Sequence, residues 1–282
     1  MIAANVARRL LPRLSPAALV RSTASHAGLI RQLAVRDLAL RYRGSVLGMV
    51  WTLVTPLALL AIFTYVFAVV FKARWPGMAE GASKVDFALA IFCGLVAFGL
   101  FSEPVGRSPS LIVSSSSYVK RIVFPLEILP VVAVCTALVI FLANLGVLVA
   151  ATLVFRGGIP WTAAALPIIV APVAVMALGV SWFLASLGVY LRDVGHAVAL
   201  LLQMLFFLTP VFYPLAAVPE PFRTVVALNP ITVAVESSRA VLLMGEWPDW
   251  GMLGLAAGVS VVIAQLGYAW FMSTKRGFAD VL

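Results

Sequence analysis

Five uncharged runs along the chain are long enough to cross a bilayer: Leu47–Phe71, Ile128–Phe155, Gly157–Leu191, Ala197–Val218 and Trp250–Thr274. A shorter one, Phe87–Ser102, ends at Glu103-Pro104. A spanning helix needs about 20 apolar residues, so counting the shorter run predicts six spans. A further apolar stretch, Thr224–Val235, has 12 residues and carries Asn229-Pro230, which suits a re-entrant or interfacial segment better than a crossing. None of the runs alternates as barrel strands do. The pattern therefore predicts an all-α integral membrane protein.

Composition agrees. Of 282 residues, 63% are hydrophobic and 11% charged, against about 45–50% and 25% in soluble domains. The net charge of +9 would suggest nucleic acid in a soluble protein, but its distribution points elsewhere. With six spans and the N-terminus inside, 14 of the 20 basic residues but only 5 of the 11 acids fall on the inner side. The whole excess then lies inside, as the positive-inside rule expects, with both termini cytoplasmic and no nucleic-acid partner. A seventh span would put the termini on opposite sides. The arginine-rich start is not read as a signal peptide, because Pro12, Arg13 and Pro16 interrupt its apolar stretch. Cys93 and Cys135 sit within apolar runs and read as small packing residues.

Much chemistry is missing from the sequence. No G-x-x-x-x-G-K-[ST] run exists to cradle nucleotide phosphates, and no His/Cys/acid spacing predicts a metal or catalytic site. The span interiors offer Asn144, Gln203 and Gln265 but almost no ionisable group, which argues against an ion-coupled carrier. Energy must then come from another chain, unless the protein is a passive channel.

Three short segments carry more pattern than loops require. In RDLALRYRGSVLGMVWTLVTP (residues 36–56), Arg36, Asp37, Arg41 and Arg43 stand at the border of the first run, with Asp37 and Arg41 at the favourable i,i+4 spacing. Position beside a span predicts an interfacial helix here. In the second, residues 118–130, Tyr118, Lys120, Arg121, Ile122 and Phe124 precede Pro125, a pattern for a short inner helix able to dock on a soluble partner. The third runs from LTPVFYP (208–214) to LNPITVAVESSRAVLLMG (228–245). Its prolines free backbone groups that lipid cannot satisfy, so this backbone belongs in protein or beside water. Glu236 and Arg239, at i,i+3, are expected to pair at the outer rim of such a path.

In this order and these places, the three segments resemble the type 2 ABC exporter permeases of the Wzm type, which carry O-antigen, capsule and teichoic-acid polymers. The resemblance covers roughly residues 29–275, leaving 1–28 as a cytoplasmic extension and 276–282 as a cytoplasmic tail. It implies six spans, an N-terminal interfacial helix, a cytoplasmic coupling helix between spans two and three, and re-entrant helices between spans five and six. It also implies a homodimer in the bacterial cytoplasmic (inner) membrane, joined to two copies of a separate ATPase that binds ATP and Mg. This chain then holds no cofactor and is no enzyme. Where family members often carry Asn before the coupling region and a basic residue after its Phe-Pro pair, this chain has Ser114–Ser117 and Leu126.

The cargo that the resemblance implies is a glycan on a polyprenyl pyrophosphate carrier. Arginines at the inner face suit its diphosphate as well as membrane lipid headgroups. Aromatic faces suit sugar rings, so Trp51, Phe63, Tyr65, Phe67, Phe206, Phe207, Phe212 and Tyr213 are candidates to line the path. The alternatives are a permease for a smaller amphiphile, such as a drug or lipid, and an ATP-independent channel or carrier. A membrane glycosyltransferase is a further rival, but no loop supplies its carboxylate cluster.

Overall fold

The computed structural model describes residues 25–41, 43–70, 84–115 and 124–282, and all regular structure among them is helical. The order is α1 (Ala27–Arg41), α2 (Trp51–Phe63, continued by π-helical turns over Thr64–Val70), α3 (Lys84–Leu111), α4 (Ile128–Arg156) and α5 (Leu166–Tyr190). Then follow α6 (Val194–Leu208), α7 (Glu220–Ala227), α8 (Pro230–Arg239, continued by Ala240–Met244), α9 (Trp250–Thr274) and the short α10 (Phe278–Val281).

Among the described residues, four helices are long and apolar enough to cross a membrane: α3, α4, α5 and α9. The pair α7 and α8 counts as a fifth only if taken as one broken span, since the two are bent by 92° at residues 228–229. That bend falls at the Asn229-Pro230 step. The Asn229 carboxamide caps α8 by accepting from the Ile231 amide at 3.0 Å, and Pro230 suits the first turn, where no N–H is required. The runs Leu47–Phe71 and Ala197–Val218 resolve into the shorter α2 and α6.

One boundary differs from the pattern. The helix that holds the uncharged run Phe87–Ser102 is longer than the run and continues through Pro104 and Pro109 to Leu111. The charges that follow the run pair across to α1, Glu103 with Arg41 and Arg107 with Asp37.

Helix α3 is the central element, and Ala88, Leu89, Ala90 and Ile91 in it are wholly buried. It packs on α4 and α5, while α5 and α9 form the most extensive helix pair. Small residues permit that pair's close crossing. A Cβ on Gly267 would stand 2.0 Å from the Gly179 carbonyl oxygen, and one on Gly179 would stand 2.5 Å from Ala264 Cα. A second, smaller core lies where α1, the start of α4, the ends of α5 and α9, and α10 meet, around Trp182, Phe271 and Phe278. Both cysteines are free.

Candidate functional site

At the α1 end of α3, four charged side chains form one network. Arg107 donates both Nη atoms to Asp37, at 2.7 and 2.9 Å, and lies 3.5 Å from Glu103, which also receives Arg41. Asp37 and Arg41 thus share a face of α1, as the i,i+4 spacing requires, but each is used to hold α3 rather than the other. Burial alone would push the Asp37 carboxyl up. The Arg107 hydrogen bonds and charge, with smaller help from Thr136 and Arg41, outweigh that and hold it below its ordinary value. Arg36 and Arg43 lie on the exposed side. A cavity of about 310 Å3 opens beside the network, lined by Arg36, Asp37, Arg107, Ser114 and Leu129.

Of the expected coupling segment, Tyr118, Lys120, Arg121 and Ile122 lie outside the described residues. Phe124 is half-buried against the second core. Just beyond it, Glu127 is fastened twice. Its carboxylate pairs with Lys275 Nζ at 2.5 Å, and its carbonyl accepts from Trp182 Nε1 at 2.9 Å. Trp182 in turn meets the Tyr268 ring edge-on, with centroids 5.1 Å apart. Glu127 thus ties the start of α4 to α5 and to the end of α9.

The aromatic candidates separate into two groups. Phe63 and Phe67 of α2 and Phe206 and Phe207 of α6 meet through Phe212, with centroids 5.9 Å (Phe63), 6.5 Å (Phe67), 5.1 Å (Phe206) and 6.2 Å (Phe207) from it. Phe87 extends the array at 5.2 Å from Phe67, and Phe98 at 5.2 Å from Phe206. Neither Phe87 nor Phe98 stands out in the sequence, because both fall in α3 and join only through tertiary packing. Trp51 and Tyr65 are exposed and stand apart from the array. Tyr213 donates its hydroxyl to the Phe207 carbonyl at 2.8 Å, which closes the irregular turn after α6.

Glu236 and Arg239 do pair, at 2.9 Å, but the guanidinium is completely enclosed instead of facing a rim. Its Nε donates to the Ala90 carbonyl at 2.8 Å and Nη1 to the Pro210 carbonyl at 2.6 Å, while Nη2 reaches the Val211 carbonyl. One side chain thus joins α8, the N-terminal part of α3 and the proline turn after α6. Gly94 makes the space, since a Cβ there would stand 2.5 Å from Nη2. On the same side of the bundle, Arg156 at the end of α4 pairs with Asp86 of α3 at 2.8 Å and donates to the Leu243 carbonyl. Among the described residues no group of His, Cys, Asp and Glu is placed to hold a metal ion.

Comparison with known proteins places these features in a context. The family described as "ABC-2 type transporter" matches residues 28–243. The chain is 31% identical over 264 residues to the O-antigen export system permease protein RfbA of Myxococcus xanthus, covering 93% of this chain and 98% of the relative. Two proteins of the same name from Klebsiella pneumoniae are 24% and 23% identical over 249 residues, each match covering 88% of this chain and 92% of the relative.

Proposed function

The chain belongs to the ABC-2 type transporter family as a permease of the Wzm type, and on that premise we propose that it forms the membrane path of an ATP-driven exporter of lipid-linked polysaccharide. The observation that carries this reading is the near end-to-end correspondence with O-antigen export permeases, 98% of the length of the Myxococcus relative. The absence of a nucleotide phosphate loop supports a division of labour in which a separate ATPase binds ATP and Mg.

In this reading α2, α3, α4, α5, α6 and α9 are the six spans, with α7 and α8 a re-entrant pair on the outer side. The inner excess of basic residues supports cytoplasmic termini and an inner-membrane location. Two copies of the chain join two ATPase subunits, and the polymer enters on a polyprenyl pyrophosphate carrier. Arg36 and Arg43, exposed at the α1 surface, meet the diphosphate or the lipid headgroups, while Asp37 and Arg41 keep α1 on α3.

The mechanism follows from what is fastened to what. ATPase motion arrives at Tyr118, Lys120, Arg121, Ile122 and Phe124. Glu127 passes it to α5 through Trp182 and to α9 through Lys275. The outer half moves as a unit where Arg239 bolts α8 to α3. Deleting the gene is expected to leave finished polymer inside the cell on its lipid carrier. Polymer reaching the surface at normal levels in the deletion strain would overturn the proposal.

A further inference from the structure

Asn144 lies near the middle of α4, where the bilayer core supplies no partner for an amide. None of the hydrogen bonds found among the described residues uses its side chain. It opens instead into a cleft of about 270 Å3 between α2, α3 and α4. Thr52 and Thr55 of α2 share that cleft, Phe92 and Val96 form its apolar wall from the central part of α3, and Trp51 forms its edge. Trp51 is 42% exposed and is among the residues that line the cleft.

An apolar chain would fill such a cleft but offer nothing to the Asn144 amide. A sugar ring matches both kinds of surface. Its C–H face is apolar and rests on an indole, while its hydroxyls donate and accept. The Asn144 amide offers two donors and an acceptor, and the Thr55 hydroxyl offers both roles, so together they serve neighbouring hydroxyls of either configuration. The volume falls just under the about 300–1,000 Å3 of drug-sized ligand sites, which suits one ring rather than a chain segment. A site that holds one ring weakly also fits transit, because a moving cargo has to leave each site it enters.

We infer that the cleft bounded by Trp51, Thr55 and Asn144 is a contact site for a single sugar ring of the cargo. This rests on the polysaccharide-export reading above.

The test uses Ile140→Cys, one turn before Asn144 on the same cleft wall, in a full-length chain with Cys93→Ala and Cys135→Ala that keeps Asn144 and Thr55, assembled with its ATPase partner in proteoliposomes. Leu59→Cys on the facing wall serves as a second reporter should the first fail to assemble. A charged, membrane-impermeant thiol reagent is applied with the ATPase held inactive, once with lipid-linked glycan and once with the lipid carrier bearing no sugar. The expected result is labelling that slows about fivefold with the glycan alone, as an occupancy of about four-fifths requires. Labelling that is absent in both conditions, or equal in both, overturns the assignment. So does an oxidant-induced disulfide joining the introduced thiols of two Ile140→Cys chains, which would mean that a second copy of the chain covers the cleft. Failure of the wild-type complex to export the glycan would overturn the export reading itself, and the cleft assignment with it.

Discussion

Replacing Arg239 with Met removes a guanidinium that has no exposure to solvent and strands the groups it serves. The carbonyls of Ala90, Pro210 and Val211 and the Glu236 carboxylate lose a charged donor at once. A buried acceptor left unsatisfied costs about 1–3 kcal/mol, and breaking a buried ion pair about 3–5 kcal/mol. Three circumstances draw the total toward the lower end. Glu236 keeps 30% exposure and regains water, Ala90 lies within α3, where its carbonyl keeps a helical donor, and Met spares the desolvation that Arg required. The expected loss is about 3 kcal/mol, measured by reversible unfolding in mixed SDS micelles. A second substitution makes the reasoning sharper. Gly94→Ala would set its Cβ 2.5 Å from Arg239 Nη2 and 3.3 Å from Val211 Cα, so most of its cost should come from the guanidinium. In the Arg239→Met background that cost should shrink, giving a coupling of about 1–3 kcal/mol in a double-mutant cycle. Arg239→Met within about 0.5 kcal/mol of wild type would refute the bolt. A Gly94→Ala cost that is the same in both backgrounds would refute the proposed reason for the glycine.

Three further outcomes are expected. The Asp37 carboxyl titrates below its ordinary value in the folded chain, so its hold on α1 is complete above the usual carboxylate pKa near ~4 and fades as pH falls through the depressed value. Hydrogen exchange in α1 should therefore rise on acidification below about pH 4, with a contribution of about 1 kcal/mol because the pair is partly exposed, and Asp37→Asn should abolish the pH step. Gly267→Ala brings its Cβ to 2.0 Å from a backbone oxygen that has no side chain to yield; unfolding in mixed micelles should show a loss at the upper end of overpacking, about 3 kcal/mol, and a wild-type midpoint would contradict the close α5–α9 crossing. Lys120→Glu with Arg121→Glu should lower export and its coupling to ATP hydrolysis while membrane insertion stays intact, and unchanged export would remove the coupling role.

The all-helical membrane class is readable along the chain, because a bilayer demands long apolar runs, while two of the six expected spans correspond to the shorter helices α2 and α6. Asn229-Pro230 announced the bend between α7 and α8 through local chemistry alone, a capping amide followed by a residue without an N–H. Local pattern does not show where α3 ends. The uncharged run stops at Glu103-Pro104, and the partners of the charges beyond it, Asp37 and Arg41, are set by tertiary packing of α1. Arg239 was misplaced for a related reason. Its i,i+3 relation to Glu236 is local and was visible, whereas its burial depends on carbonyls from α3 and the proline turn and on the space left by Gly94. The aromatic candidates on α2 and α6 were chosen by residue type; that Phe212 gathers four of them, and that Phe87 and Phe98 complete the array, is a matter of tertiary packing.

The division of labour between this chain and an ATPase is tested most directly by reconstitution. The purified permease is placed in liposomes with lipid-linked glycan, with and without its separate ATPase partner, and transfer of glycan across the bilayer is followed on adding ATP. Transfer only when both the partner and ATP are present is the predicted result. Transfer by the permease alone, driven by an ion gradient or by the concentration difference of the glycan, would contradict it.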